Sequence, residues 1–98
     1  GKITYDQLKE SIELEVNQNY LNTSYLEERI AVSSKAVEQA KDNYKVTKEK
    51  YDVQLATSTD LVDAETSVFQ TETNYTNAIV DYRISLLKLY RSIGKKLY

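Results

Sequence analysis

Asp60 and Asp63 are the side chains of this chain best placed to do chemistry. Three residues apart on a helix, two carboxylates share a face. Both fall in the first two turns of a predicted helix, and two readings meet there. The positive end of the helix dipole favours carboxylates, so both can serve as capping, solvated acids. If several such tips meet around an axis, the same acids form a carboxylate ring that attracts or selects cations. Thr57 reads as the N-cap, and Asp60 three residues on completes a capping-box-like pair. Val53 and Leu55 are apolar residues at an exposed bend, which a partner explains better than folding does.

Most other chemistry is excluded by what the chain lacks. It has no Cys, His, Trp or Met. Thiol nucleophiles, histidine bases and the usual soft-metal ligands go with them. No catalytic residue, metal site or cofactor is expected, and the chain is not expected to be an enzyme, because the two acids have no second catalytic type beside them. A net charge of -2 argues against nucleic acid as a partner, since phosphate binding needs a basic patch. A cysteine-free chain fits either redox compartment. No apolar run approaches the ~20 residues of a membrane span, and no signal-peptide pattern opens the sequence. Apolar residues make up 41% and charged residues 29%, which is globular or coiled-coil rather than disordered. Gly1 with Lys2 reads as a junction joined to mid-protein sequence, so a fragment of a longer protein is expected.

The elements that must position the two aspartates are written in a heptad pattern. The chain contains no proline. Seam positions run Val16, Asn19, Thr23, Leu26, Ile30, Ser33, Val37, Ala40, Tyr44, Thr47 and Tyr51. After one interruption they resume as Leu61, Ala64, Val68, Thr71, Tyr75, Ala78, Tyr82, Ser85, Leu89 and Ser92. Sustained 3-4 spacing marks a coiled-coil seam. Folding the chain back about Leu55–Ala56 sets Thr47 against Ala64, Ala40 against Thr71, Val37 against Tyr75, Ile30 against Tyr82 and Leu26 against Ser85. Several large residues then face small ones, as interdigitating layers require. The expected fold is all-α: one long antiparallel helical hairpin (coiled coil) over residues 1–98, with a helix over about 3–54, a tip at about 55–58 and a helix over about 59–93. Gly94, followed by Lys95 and Lys96, reads as a helix C-cap.

A second stripe accompanies each seam. It comprises Tyr25, Arg29, Val32, Ala36, Gln39, Asn43 and Val46 on the first helix, and Val62, Phe69, Thr76, Ile79, Arg83, Leu86, Tyr90 and Ile93 on the second. Two adjacent seams predict a neighbour on both sides of each helix, as in a bundle or a helical tube. The plainer alternative is a set of ordinary half-exposed residues. If the second helix ends near Ile93, residues 3–17, with Ile3, Leu8, Ile12, Leu14 and Val16, overhang it by roughly 20 Å at 1.5 Å per residue. Another copy, or the rest of a larger protein, would be needed to cover them.

At the interruption, Tyr51, Thr57, Asp60, Leu61, Val62, Asp63 and Ala64 match the pattern Tyr-x-x-Gly-x-x-[Ser/Thr]-x-x-[Asp/Glu]-[Leu/Val]-Leu-Asp-Ala. Asn74, Tyr82, Leu86 or Leu87, Leu89 and Gly94 match the sequence that follows it. In both, the chain resembles the periplasmic hairpin of the TolC-like outer-membrane efflux channel family. The resemblance covers nearly the whole chain, and its specificity lies in the joint spacing, since each motif residue is individually common. It implies a fragment of an α-barrel, the periplasmic tunnel of a homotrimer whose parent is inserted in the outer membrane by a β-barrel. No alternating strands of such a barrel are found here. It also implies a periplasmic adaptor protein and an inner-membrane transporter complex as partners. Carried over by position, Tyr51, Asp60 and Asp63 would form the gate, and Val53, Gln54, Leu55, Ala56, Thr57 and Ser58 the tip that docks the adaptor. Two residues depart from the family. Gln54 stands where glycine is usual, so a different turn is expected. Ala56 stands where some members carry a gate arginine, so no salt-bridged latch forms through it.

Two other readings compete. The α-hairpin of a periplasmic adaptor (membrane fusion) protein is also long and heptad-rich, but it would be flanked by lipoyl-like β-halves, and no Arg lies between Arg29 and Arg83 to supply its usual tip. A structural coiled-coil module explains the heptads but neither the tip motif nor the second stripe.

Overall fold

The computed structural model describes residues 4–97 in backbone and 4–95 in side chain. The fold is all-α. Helix α1, Tyr5–Asp52, and helix α2, Ser58–Leu97, form an extended hairpin, with no strand among the described residues. Thr4 opens α1 with a reciprocal cap. Its N–H donates to Gln7 Oε1 at 3.1 Å, and its Oγ1 accepts from Gln7 N–H at 3.2 Å, which satisfies two of the amides left over at a helix start. Ile3, where the pattern put the beginning of this helix, lies outside the described residues.

Two compact units make up the chain. The first, Arg29–Ile79, contains the tip. Its buried residues are Ala40, Ala64 and Ala78, and Ala78 is wholly enclosed. Val37, Tyr44, Val68 and Tyr75, on the same seams, are half-buried. The smallest side chains therefore occupy the deepest positions, which sets how closely two helices can approach. The Lys41–Glu72 ion pair, at 3.6 Å, is solvent-exposed and adds little.

The second unit pairs Gly1–Glu28 with Val80–Tyr98. Leu26 is buried here together with three hydroxyl residues, Thr23, Ser85 and Ser92. Each hydroxyl donates to a carbonyl of its own helix: Thr23 to Asn19, Ser85 to Tyr82 and Ser92 to Lys88, at 2.6–2.9 Å. No buried side-chain polar atom among the described residues lacks a partner, as packed interiors require. Thr66, Thr71 and Thr73 of α2 and Thr47 of α1 make the same backward bond in the first unit. Across the two helices, Asn19 Nδ2 donates to Ser92 Oγ and, at 3.5 Å, to the Lys88 carbonyl. A polar seam residue of this kind pins register. The pair matches the register predicted from folding the chain about Leu55–Ala56.

All seven buried residues among those described fall on the two predicted seams. Three expectations need correction. Gly94 does not end α2: the helix continues to Leu97, and no glycine has a positive φ. A C-cap of the expected type needs the left-handed conformation, and α2 still has α1 opposite it, since Lys95 Nζ lies 3.5 Å from Glu15 Oε1. That contact also shortens the overhang, because α1 is met as far back as Glu15. Tyr5, Leu8 and Leu14 remain exposed, while Ile12 and Val16 are half-buried. Tyr51, predicted at the end of the first seam, is exposed.

The second stripe is largely uncovered. Tyr25, Val32, Val46, Val62, Phe69 and Tyr90 are all exposed, Phe69 to 70%. This generates a paired prediction. Ala78→Leu forces a larger side chain into a closed seam and should destabilise the isolated chain by about 1–3 kcal/mol. Phe69→Ser should change it by less than about 0.5 kcal/mol. Denaturant unfolding followed by circular dichroism reads both. A large loss from Phe69→Ser would mean that the second stripe is packed within the chain.

Candidate functional site

The tip is built by two helix ends that satisfy their own backbone groups. At the end of α1, Leu55 N–H donates to the Lys50 carbonyl at 2.7 Å and Gln54 N–H to the Tyr51 carbonyl at 3.0 Å. This pair of bonds is a Schellman motif, and the residue it places in the left-handed region is Gln54, with φ 63°. The resemblance puts glycine at this position, and a different turn was the expectation. The glutamine takes up the left-handed conformation that favours glycine, at the steric cost of its Cβ.

Helix α2 starts from the expected capping box. Thr57 N–H donates to Asp60 Oδ2 at 2.9 Å, and Asp60 N–H donates to Thr57 Oγ1 at 3.0 Å. Leu61 N–H closes the first helical bond onto the Thr57 carbonyl at 3.1 Å. The Thr57 backbone N–H, and after it the Thr57 hydroxyl, hold the Asp60 carboxyl below its ordinary pKa. Asp60 is therefore a cap in its own right, as the plainer of the two readings has it.

Between the helix ends lies an open groove of about 380 Å³, lined by Asn43, Thr47, Lys50, Leu55, Ala56, Asp60, Asp63 and Ala64. Four of the residues singled out from sequence meet here: Leu55, Ala56, Asp60 and Asp63. Tyr51, Val53, Gln54, Thr57 and Ser58 do not line it. Val53 and Leu55 are 65% and 76% exposed, whereas Ala56 is half-buried. Neither Asp60 nor Asp63 forms an ion pair with a described residue. The groove thus presents two carboxylates and an apolar floor opposite a lysine and two neutral polar residues. Sequence reasoning passed over Asn43, Thr47 and Lys50. The signal was available, because Thr47 pairs with Ala64 across the seam, and Asn43 and Lys50 lie one turn to either side of it. No group of three or more metal-ligating side chains occurs among the described residues.

Two outcomes follow from this geometry. Gln54→Gly removes the strained Cβ and should stabilise the chain by about 0.5–1 kcal/mol; a loss in denaturant midpoint would mean that the left-handed turn is not the one adopted in solution. Thr57→Ala should cost about 1 kcal/mol and, by removing the hydroxyl but not the backbone N–H, raise the Asp60 pKa only part of the way back, which an NMR titration reads. The sign follows from linkage. A carboxyl whose folded pKa is depressed contributes stability that is present above its unfolded value of about 3.9 and is lost as pH falls through the lower folded value. The unmodified chain should therefore lose stability on acidification below about pH 4, and Thr57→Ala should lose less of it.

Among the described residues no helix is long and apolar enough to cross a membrane. Neither a curated protein nor a solved structure matches the chain. A family model described as outer membrane efflux protein matches residues 3–95. Members of that family are components of outer-membrane efflux channels rather than enzymes. With the hairpin, the tip motif and this match over nearly its whole length, the chain belongs to the outer membrane efflux protein family.

Proposed function

We propose that this hairpin is a piece of the tunnel wall of a trimeric efflux channel, and that its tip gates the periplasmic entrance and docks an adaptor protein. The observation that carries this reading is the tip itself. Two aspartates without ion-pair partners among the described residues line a groove, next to two apolar residues, Val53 and Leu55, that stay exposed. Exposed Val53 and Leu55 fit an anchoring contact with a partner. The uncovered second stripe fits helices flanked on both sides, as a tube wall needs. Asp60, Asp63 and Tyr51 are the proposed gate. With alanine at position 56, the gate rests on carboxylate repulsion and tyrosine contacts rather than on an arginine latch. The segment would stand in the periplasm, with the β-barrel of the parent in the outer membrane and an inner-membrane transporter complex completing the export path.

The two roles of the acids can be tested separately, because Asp63 takes no part in the capping box. In the channel protein, Leu55→Asp should weaken adaptor binding about tenfold or more, on the order of 1.4 kcal/mol. Asp63→Asn should alter export while leaving helix content and unfolding midpoint unchanged. Titration with the adaptor and an efflux assay in cells check the two effects. Unchanged adaptor affinity together with undiminished export would count heavily against the proposal.

A further inference from the structure

The two uncovered stripes of the unit Arg29–Ile79 lie on opposite faces of the hairpin. The Lys41–Glu72 ion pair marks one face. Phe69 stands three residues before Glu72, and Val62 a heptad before Phe69, so the α2 stripe flanks that pair. The groove marks the other face, because Asn43 and Lys50 line it together with Asp60 and Asp63. Val46 stands three residues after Asn43 and four before Lys50, with Val32 two heptads earlier, so the α1 stripe lies on the groove face. Val32, Val46, Val62 and Phe69 are all exposed. Each face thus carries one apolar stripe, and the two come from different helices.

Charge decides which stripe meets which. Residues 58–79 of α2 carry four acids and no base, whereas residues 29–52 of α1 carry six bases and four acids. Two copies meeting through their α2 stripes would turn Glu65 and Glu72 of each towards those of the other. Setting α1 of one copy beside α2 of the next brings opposite net charges together. Side-chain size points the same way. The hairpin register sets Thr47 against Ala64 and Ala40 against Thr71. Applied to a neighbouring copy with its tip at the same level, it sets Asn43 against Phe69, Ala36 against Thr76 and Val32 against Ile79. Phe69, the bulkiest of the exposed stripe residues, then meets a short side chain, with Gln39 and Val46 on either side of it, as a knob meets a hole.

We propose that this chain associates with further copies of itself head to tail: the α1 stripe of one hairpin seats the α2 stripe of the next, antiparallel and with the tips level. Each end of a row keeps one unused stripe, so the contact is heterologous and is exhausted only when a ring closes. The pairing needs this chain alone and stands apart from the channel reading.

Sedimentation velocity of the 98-residue chain over a range of concentrations tests it, with circular dichroism to follow helix content. The unmodified chain should pass from monomer to assemblies larger than a dimer as concentration rises. Phe69→Lys removes the α2 half of the contact and Val46→Glu the α1 half, so each should sediment as a helical monomer. Mixed, they should form a one-to-one dimer and nothing larger, because the intact α2 stripe of one fits the intact α1 stripe of the other. Phe69→Ser, neutral in the dilute monomer, should become costly to stability as concentration rises. A dimer that persists in either single variant, or a mixture that stays monomeric while both variants remain helical, overturns the pairing. So does an unmodified chain that is monomeric at every concentration, whose stripes then belong to another segment of a longer protein. Disulfide trapping reads the register without charged substitutions, since the chain has no cysteine of its own. Oxidising a mixture of Asn43→Cys and Phe69→Cys should link residue 43 of one chain to residue 69 of another, and links between like variants alone overturn the proposal.

Discussion

The seam admits only small side chains at its deepest positions, and the rest of the molecule depends on that constraint. Alanine at 40, 64 and 78 and hydroxyl residues at 23, 85 and 92 are buried, with Leu26 the one large side chain beside them, while Val37, Tyr44, Val68, Tyr75 and Tyr82 of the same seams are half-buried. A seam of this kind gains little from each buried side chain, because the apolar area removed from water per residue is small. It gains specificity instead. A larger residue cannot enter without repacking, and the bond from Asn19 to Ser92 favours one register. Stability is then drawn from length and from whatever covers the second stripe.

The same economy governs the tip. Five residues, Val53 to Thr57, reverse the chain, and the backbone bonds of the turn come from the helix ends themselves: a Schellman pair closes α1 and a capping box opens α2. Side chains at the turn are therefore released from structural duty, with the exceptions of Thr57 and Asp60. That is why Val53 and Leu55 can be apolar and exposed together, and why Asp63 is free to serve a site. Asp60 is bound to both tasks, so a substitution there disturbs the start of α2 along with any gate.

Much of this was legible in the sequence. The seams are periodic and their spacing is interrupted once, so the hairpin and its register could be read directly, and every buried position among the described residues lies on a seam. The capping box was also legible, because Thr57 and Asp60 stand at its spacing. What failed was local. Gly94 looked like a terminator because glycine favours C-caps, but a helix with a partner still opposite it carries a glycine through. Gln54 by its own residue type gave no sign of its left-handed backbone, since glutamine rarely adopts it, and the two bonds that impose it run from the N–H groups of Gln54 and Leu55 back to carbonyls of α1. The groove was half legible: its acids lie on one helix, and the facing side chains are found only by applying the register across the seam. The gate and docking roles of the tip residues depend on neighbours that a single hairpin does not contain.

The backward hydroxyl bonds carry a mechanical consequence. Thr66, Thr71, Thr73, Ser85 and Ser92 of α2 each donate to a carbonyl three or four residues earlier, whereas α1 has Thr23 and Thr47. A carbonyl that serves a hydroxyl as well as its helical amide holds the amide less tightly, and helices bend most readily at such points. Bending compliance is therefore concentrated in α2, the helix that carries the acids of the tip.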